Sequence, residues 1–150
     1  MENPRSNVLA GRDFRYGNFS NTVLDGLIMS GSDFSGAEMF GASLKHAQLE
    51  YAVFDWVKMN GAHLDSAQAK GASFKFTHLQ EAQFKYCDLE DVSFEKARLD
   101  DAILDSCINL KCINLTKARL LTGAALPINC QGLEDVPHWK NLFNTPPYED

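Results

Sequence analysis

The side chains able to do chemistry are few, and their spacing does not assemble them. His46, His63, His78 and His138 are the histidines. An imidazole acts as base or ligand only beside an oriented partner. There is no glycine loop for phosphates, no H-E-x-x-H, no G-x-S-x-G and no carboxylate pair in a recognisable setting. The cysteines are Cys87, Cys107, Cys112 and Cys130, with no C-x-x-C pair among them. Cys107 and Cys112 lie close, but no second ligand pair has zinc spacing. Unligated, reduced cysteines in a cytoplasmic protein are expected, and neither metal nor cofactor is expected. No enzyme is expected.

Two other groups invite a binding role. Residues 81 to 105 hold eight acids, among them Glu81, Asp88, Glu90, Asp91, Asp100 and Asp101, against Lys85, Lys96 and Arg98. The second group is aromatic: Tyr16, Trp56 and Phe76, which fall at multiples of twenty residues from one another. Their meaning depends on the backbone that carries them.

That backbone repeats every five residues. Larger apolar residues recur from Leu9 through Phe14, Phe19 and Leu24 to Leu104, and nineteen of these twenty centres are Leu, Met or Phe. Ala69 is the lapse. Two places earlier, seventeen of twenty residues are small, the exceptions being Asn7, Arg12 and Leu27. A period of five matches neither helix nor strand, and on a helix it would rotate the apolar spot around the axis. In extended chain, residues two apart face the same side, so each small residue and its centre share one interior. A single pentad cannot bury that pair; coils must stack on coils.

Phenylalanine sets the size of a coil. Phe14, Phe34, Phe54, Phe74 and Phe94 occupy every fourth centre. Seven Phe scattered over twenty centres would fill one such column about once in 180 arrangements, so four pentads per coil are favoured. After Leu104 the frame is expected to slip by one residue. Leu110, Leu115 and Leu120 then become centres, with Ile108, Ile113 and Ala118 as inward partners.

The motif small-x-(Leu/Phe/Met)-x-x resembles that of the pentapeptide-repeat proteins over residues 7–122. The resemblance implies an all-β fold, a right-handed quadrilateral β-helix, in a single domain spanning 1–150. Residues 123–150 leave the repeat and are expected to form a short C-terminal helical cap. Asp135 would cap it, Pro137 would sit in its first turn, and Val136, Trp139 and Phe143 would share a face. In some relatives the corresponding segment joins two rods end to end.

A net charge of −6 argues against direct nucleic-acid binding, and no apolar run is long enough to span a membrane. The expected role is a rigid module that binds an unidentified protein partner. A homodimer through the C-terminal segment or the aromatic strip is an additional possibility. The resemblance also implies two alternatives. One is a DNA mimic that modulates or protects DNA gyrase, as quinolone-resistance relatives do. The other is a secreted bacterial effector, which usually carries a further N-terminal domain not expected here. Mimicry needs carboxylates in place of phosphates along a whole face, whereas the acid run covers little more than one coil.

Overall fold

The computed structural model describes residues 7–119, 121–132 and 140–143. Its regularity comes from the turn that ends each pentad. The N–H three residues after a centre donates back to that centre's carbonyl, as from Ala52 to Leu49 at 3.0 Å and from Ala97 to Phe94 at 3.0 Å. The residue two after the centre takes positive φ, the signature of a type II turn. From residue 11 to residue 101 all nineteen such corners have it, and only seven of them are glycine.

Between corners each wall is too short for a strand and contributes one bridging residue. Seventeen successive parallel bridges join residue i to residue i+20, from Val8–Ile28 to Asp88–Ile108. Twenty residues therefore make one four-walled coil. Around Leu44, three N–H groups bond to neighbouring coils: Ser43 to the Thr22 carbonyl, Leu44 to His63, and His46 to Asp65, at 2.7 to 3.0 Å.

The remaining N–H lies one residue past the centre, and in seven pentads among the described residues an Asp or Asn side chain accepts from it. Asp13, Asp33 and Asp88 accept from the backbone two residues on, at Arg15, Ser35 and Glu90. Asp25, Asp55 and Asp65 reach one coil up to Lys45, Lys75 and Lys85. Where they occur, these acids satisfy a backbone donor that the coil-to-coil bonds leave open.

The interior is the expected ladder. Phe14, Phe34, Phe54, Phe74 and Phe94 stack with centroids 4.9, 5.0, 5.1 and 5.5 Å apart, near the strand spacing. Phe84 meets Phe74 and Phe94 edge-on. Ala69 is buried, as its register requires. Two polar residues in small slots are buried, and both are satisfied: Ser32 Oγ donates to the Leu9 carbonyl at 2.8 Å, and Thr77 Oγ1 to the Phe54 carbonyl at 2.6 Å.

The last coil departs from expectation. Ile108 keeps the old frame, bridging Asp88, and Cys107 stands in the small slot. Ile108 and Ile113, expected inward, are 48% and 62% exposed. Ile108 faces out because the old frame puts it at a bridging position, and Ile113 because a helical turn, α1 (Cys112–Leu115), replaces an extended wall and turns Leu115 inward. Asn114 Nδ2 seals it to the Val92 carbonyl at 3.0 Å. The expected one-residue slip holds at Leu110, Leu115 and Ala118, which are buried, and a second extra residue follows, because Ile103 bridges Ala125. Leu121 and Leu126 accordingly fill the interior; Leu120 lies outside the described residues.

The cysteine expectation needs a second correction: Cys112 and Cys130 form a disulfide, with Cα atoms 5.4 Å apart. The helical turn brings Cys112 beside Cys130 at the end of a 3₁₀ turn, Ile128–Cys130. Cys87 and Cys107 stay free. Beyond this, α2 (Lys140–Phe143) meets the last coil. The Leu142 carbonyl accepts from Leu121 N at 2.8 Å and the Phe143 carbonyl from Thr122 Oγ1 at 3.1 Å. The cap residues expected at Asp135, Val136, Pro137 and Trp139, together with His138, lie outside the described residues.

Candidate functional site: an aromatic corner beside a basic wall

Trp56, Phe76 and Lys96 occupy the same corner on three successive coils, with φ of 63°, 57° and 54°. The left-handed backbone throws each side chain outward, clear of the core. Trp56 and Phe76 lie parallel, centroids 4.1 Å apart and planes 2° from coincidence. Lys96 Nζ stands 5.4 Å from the Phe76 centroid on a cation–π contact. Trp56 is 62% exposed. Both faces of Phe76 are therefore covered, and the pair presents ring edges and the outer face of the indole.

Tyr16 shares the column but not the stack. It is 81% exposed, and its ring folds over Gly36, where a Cβ would come within 2.7 Å of two ring carbons. Glycine at this corner is what lets the tyrosine lie down. The three expected aromatics are thus one stacked pair and one separate cover.

Sequence reasoning missed what lies beside the pair. The adjoining wall carries Lys58, His78 and Arg98 in bridging register, and Arg119 N bonds to the Ala97 carbonyl one coil higher. Trp56, Phe76, His78, Lys96, Arg98 and Arg119 line an open groove of about 540 Å³. His78 titrates below its ordinary value through partial burial and then through the charges of Arg98, Lys58 and Arg119. The signal was available in part, since Lys58, His78 and Arg98 differ by twenty in number.

The six candidate acids do not form one surface. Glu81, Asp100 and Asp101 lie at one corner, while Asp88, Glu90 and Asp91 gather around another, two pentads or half a coil away. Glu90 pairs with Lys70 at 2.9 Å, Asp91 with Lys111 at 3.3 Å and Asp100 with Arg98 at 3.5 Å. Asp88 is occupied with the Glu90 N–H and with Asn109 Nδ2. Among the described residues no group of three His, Cys, Asp or Glu is gathered as a metal site. Among them too, no helix is long and apolar enough to cross a membrane.

The pentapeptide-repeat family, described as "Pentapeptide repeats", matches residues 8–39, 37–75 and 77–120 in eight copies. The chain is a pentapeptide-repeat protein. Solved structures similar to it include alr5209, a pentapeptide repeat protein from Nostoc Pcc 7120. That likeness is 23% identical, covers 77% of this chain and 84% of that one, and has a TM-score of 0.48. QnrB1, a plasmid-mediated fluoroquinolone resistance protein, is similar at 20% identity over 77% of this chain and 70% of its own, with a TM-score of 0.45. HetL, involved in heterocyst differentiation regulation in Nostoc sp. strain PCC 7120, is 19% identical over 81% and 77%, with a TM-score of 0.31. No curated protein matches significantly.

Proposed function

We propose that this pentapeptide-repeat protein is a non-enzymatic, rigid protein-interaction module, wound right-handed as the family resemblance implies. The exposed Trp56–Phe76 stack carries the reading. Aromatics supply much of the energy at protein interfaces, and two held parallel on a stiff scaffold lose little freedom on binding. The topoisomerase reading is weaker, because the acids it would use are divided between corners and largely paired or bonded. The Cys112–Cys130 bridge favours a compartment oxidising enough to keep it over the cytoplasm expected from the sequence.

The test is a double variant, Trp56→Ala with Phe76→Ala. The stack lies outside the core, so its loss should cost about 1–2 kcal/mol of stability. Partner capture from the native extract, and any self-association seen by sedimentation velocity, should fall at least tenfold. A folded double variant that binds everything the parent binds would return the stack to a purely structural role.

A further inference from the structure

Apart from the aromatic pair, the groove beside Trp56 is lined by Lys96, His78, Arg98 and Arg119, with no carboxylate among its lining residues, on a chain whose net charge is −6. That local reversal of sign needs an explanation. Stacking of the coils does not require it, because Lys58, His78 and Arg98 join neighbouring coils through their backbone groups. Nor do ion pairs within the chain account for all of it. Asp100 neutralises Arg98 in part at 3.5 Å, and Glu38 meets Lys58 at 3.4 Å, while Lys96 Nζ stands over the Phe76 ring. His78 is harder to protonate than usual, chiefly through partial burial and then through the positive charge of Arg98, Lys58 and Arg119.

We infer that this groove docks an acidic segment of a protein partner, one that sets carboxylates beside an apolar anchor side chain. This rests on the interaction-module reading and adds the chemistry of the partner. The anchor would pack against the ring edges of Trp56 and Phe76, and the carboxylates would face Lys96, His78, Arg98 and Arg119. From His78 to Arg119 the wall rises two coils, about 10 Å, which three residues of extended chain cover. Single-stranded nucleic acid fits less well, because successive bases need several free ring faces, whereas both faces of Phe76 are taken and the outer face of the Trp56 indole alone is open in the stack. Charge complementarity of this kind sets partner choice and speeds encounter.

The test is selection of random displayed dodecapeptides on the immobilised full chain. Recovered peptides should carry Asp or Glu next to Leu, Phe or Trp. The best of them is then made with a fluorescein label, alongside a twin with Asn and Gln for its acids. The acidic peptide should bind at least tenfold more tightly than its neutral twin. Lys96→Glu should weaken it about tenfold and Arg119→Gln about fivefold, with melting curves showing that each variant is folded. Raising salt from about 0.05 to 0.5 M should weaken it as well. Neutral or basic recovered peptides, binding that Lys96→Glu leaves intact, or displacement by an oligo-dT strand at lower concentration would each overturn the proposal. Apolar peptides sensitive to Phe76→Ala alone would overturn the acidic partner and leave the interaction module standing. Recovered peptides indifferent to both Phe76→Ala and Lys96→Glu would overturn both.

Discussion

Replacing Phe54 with Ala tests whether the phenylalanine column is a continuous interior. Phe54 is fully buried between Phe34 at 5.0 Å and Phe74 at 5.1 Å, both parallel to it. Deleting a buried Phe side chain costs about 3–5 kcal/mol in transfer and cavity terms. Two lost ring contacts, each worth roughly 0.5–1.5 kcal/mol, put this case at the top of that range. Phe14 has one parallel neighbour, Phe34 at 4.9 Å, and is only partly buried. Its removal should cost about 2 kcal/mol, since fewer contacts are lost. Lys58→Ala, on the outer wall, should stay within about 0.5 kcal/mol. Urea unfolding followed by circular dichroism and by Trp fluorescence measures all three, and coincidence of the two probes checks that unfolding is cooperative. On a thermal scan Phe54→Ala should lower the midpoint by about 10–20 °C. Equal losses for Phe54→Ala and Phe14→Ala would refute the ladder argument, because a stack of nearest-neighbour contacts must weaken toward its end.

The Cys112–Cys130 bridge closes a loop with a sequence separation of 18, so Cys130→Ser, or dithiothreitol on the parent, should cost about 3 kcal/mol; an unchanged melting midpoint after reduction would contradict the bridge. Burial pushes the Cys107 thiol up to about 11 and raises Cys87 further. At pH 8 about one Cys107 in a thousand is then thiolate, and Ellman's reagent should react slowly, with a rate rising about tenfold per pH unit. His78 titrates below its ordinary 6.5, chiefly through partial burial. The unfolded chain therefore takes up the proton first, and this contribution to stability fades as pH falls from 6.5 through the depressed value. Urea midpoints between pH 7 and pH 5 should fall more for the parent than for His78→Gln.

The repetitive part of the fold was legible because turn chemistry and burial share one period. Small residue, centre and corner recur in the sequence as they do in space, and the Phe column announces the coil. Illegibility begins where a second solution competes. At Cys112–Leu115 a helical turn buries Leu115 as well as an extended wall would, and it moves Ile113 out of the register that the apolar pattern suggested, while Ile108 simply holds the earlier frame. The disulfide depends on that turn and was hidden with it. The acids misled for another reason: Asp13, Asp33, Asp55 and Asp88 look like surface charge in the sequence, whereas the backbone uses them as hydrogen-bond acceptors. At the candidate site, Trp56 above Phe76 followed from arithmetic. Arg119 did not, because the slip in the last coil sets it twenty-one residues after Arg98, one out of step.

The core and the exterior of this molecule keep different clocks. Inside, the pattern of small residue and Leu, Met or Phe repeats every five residues, and the phenylalanine column alone shares the longer count of the exterior. Outside, only a shift of twenty returns a side chain to its column. Loss of one pentad between Trp56 and Phe76 would leave a chain that still winds and still buries its apolar residues, yet everything above the deletion would be turned by a quarter of a revolution. Trp56 would then have a different neighbour, and the cationic column would be cut in two. Gain or loss of a full coil, by contrast, would only lengthen or shorten the columns on either side of the change. A lineage built on this scaffold can therefore change its binding faces wholesale by a five-residue slip, at the cost of one broken contact in the phenylalanine column, and it can grow without disturbing them in steps of twenty.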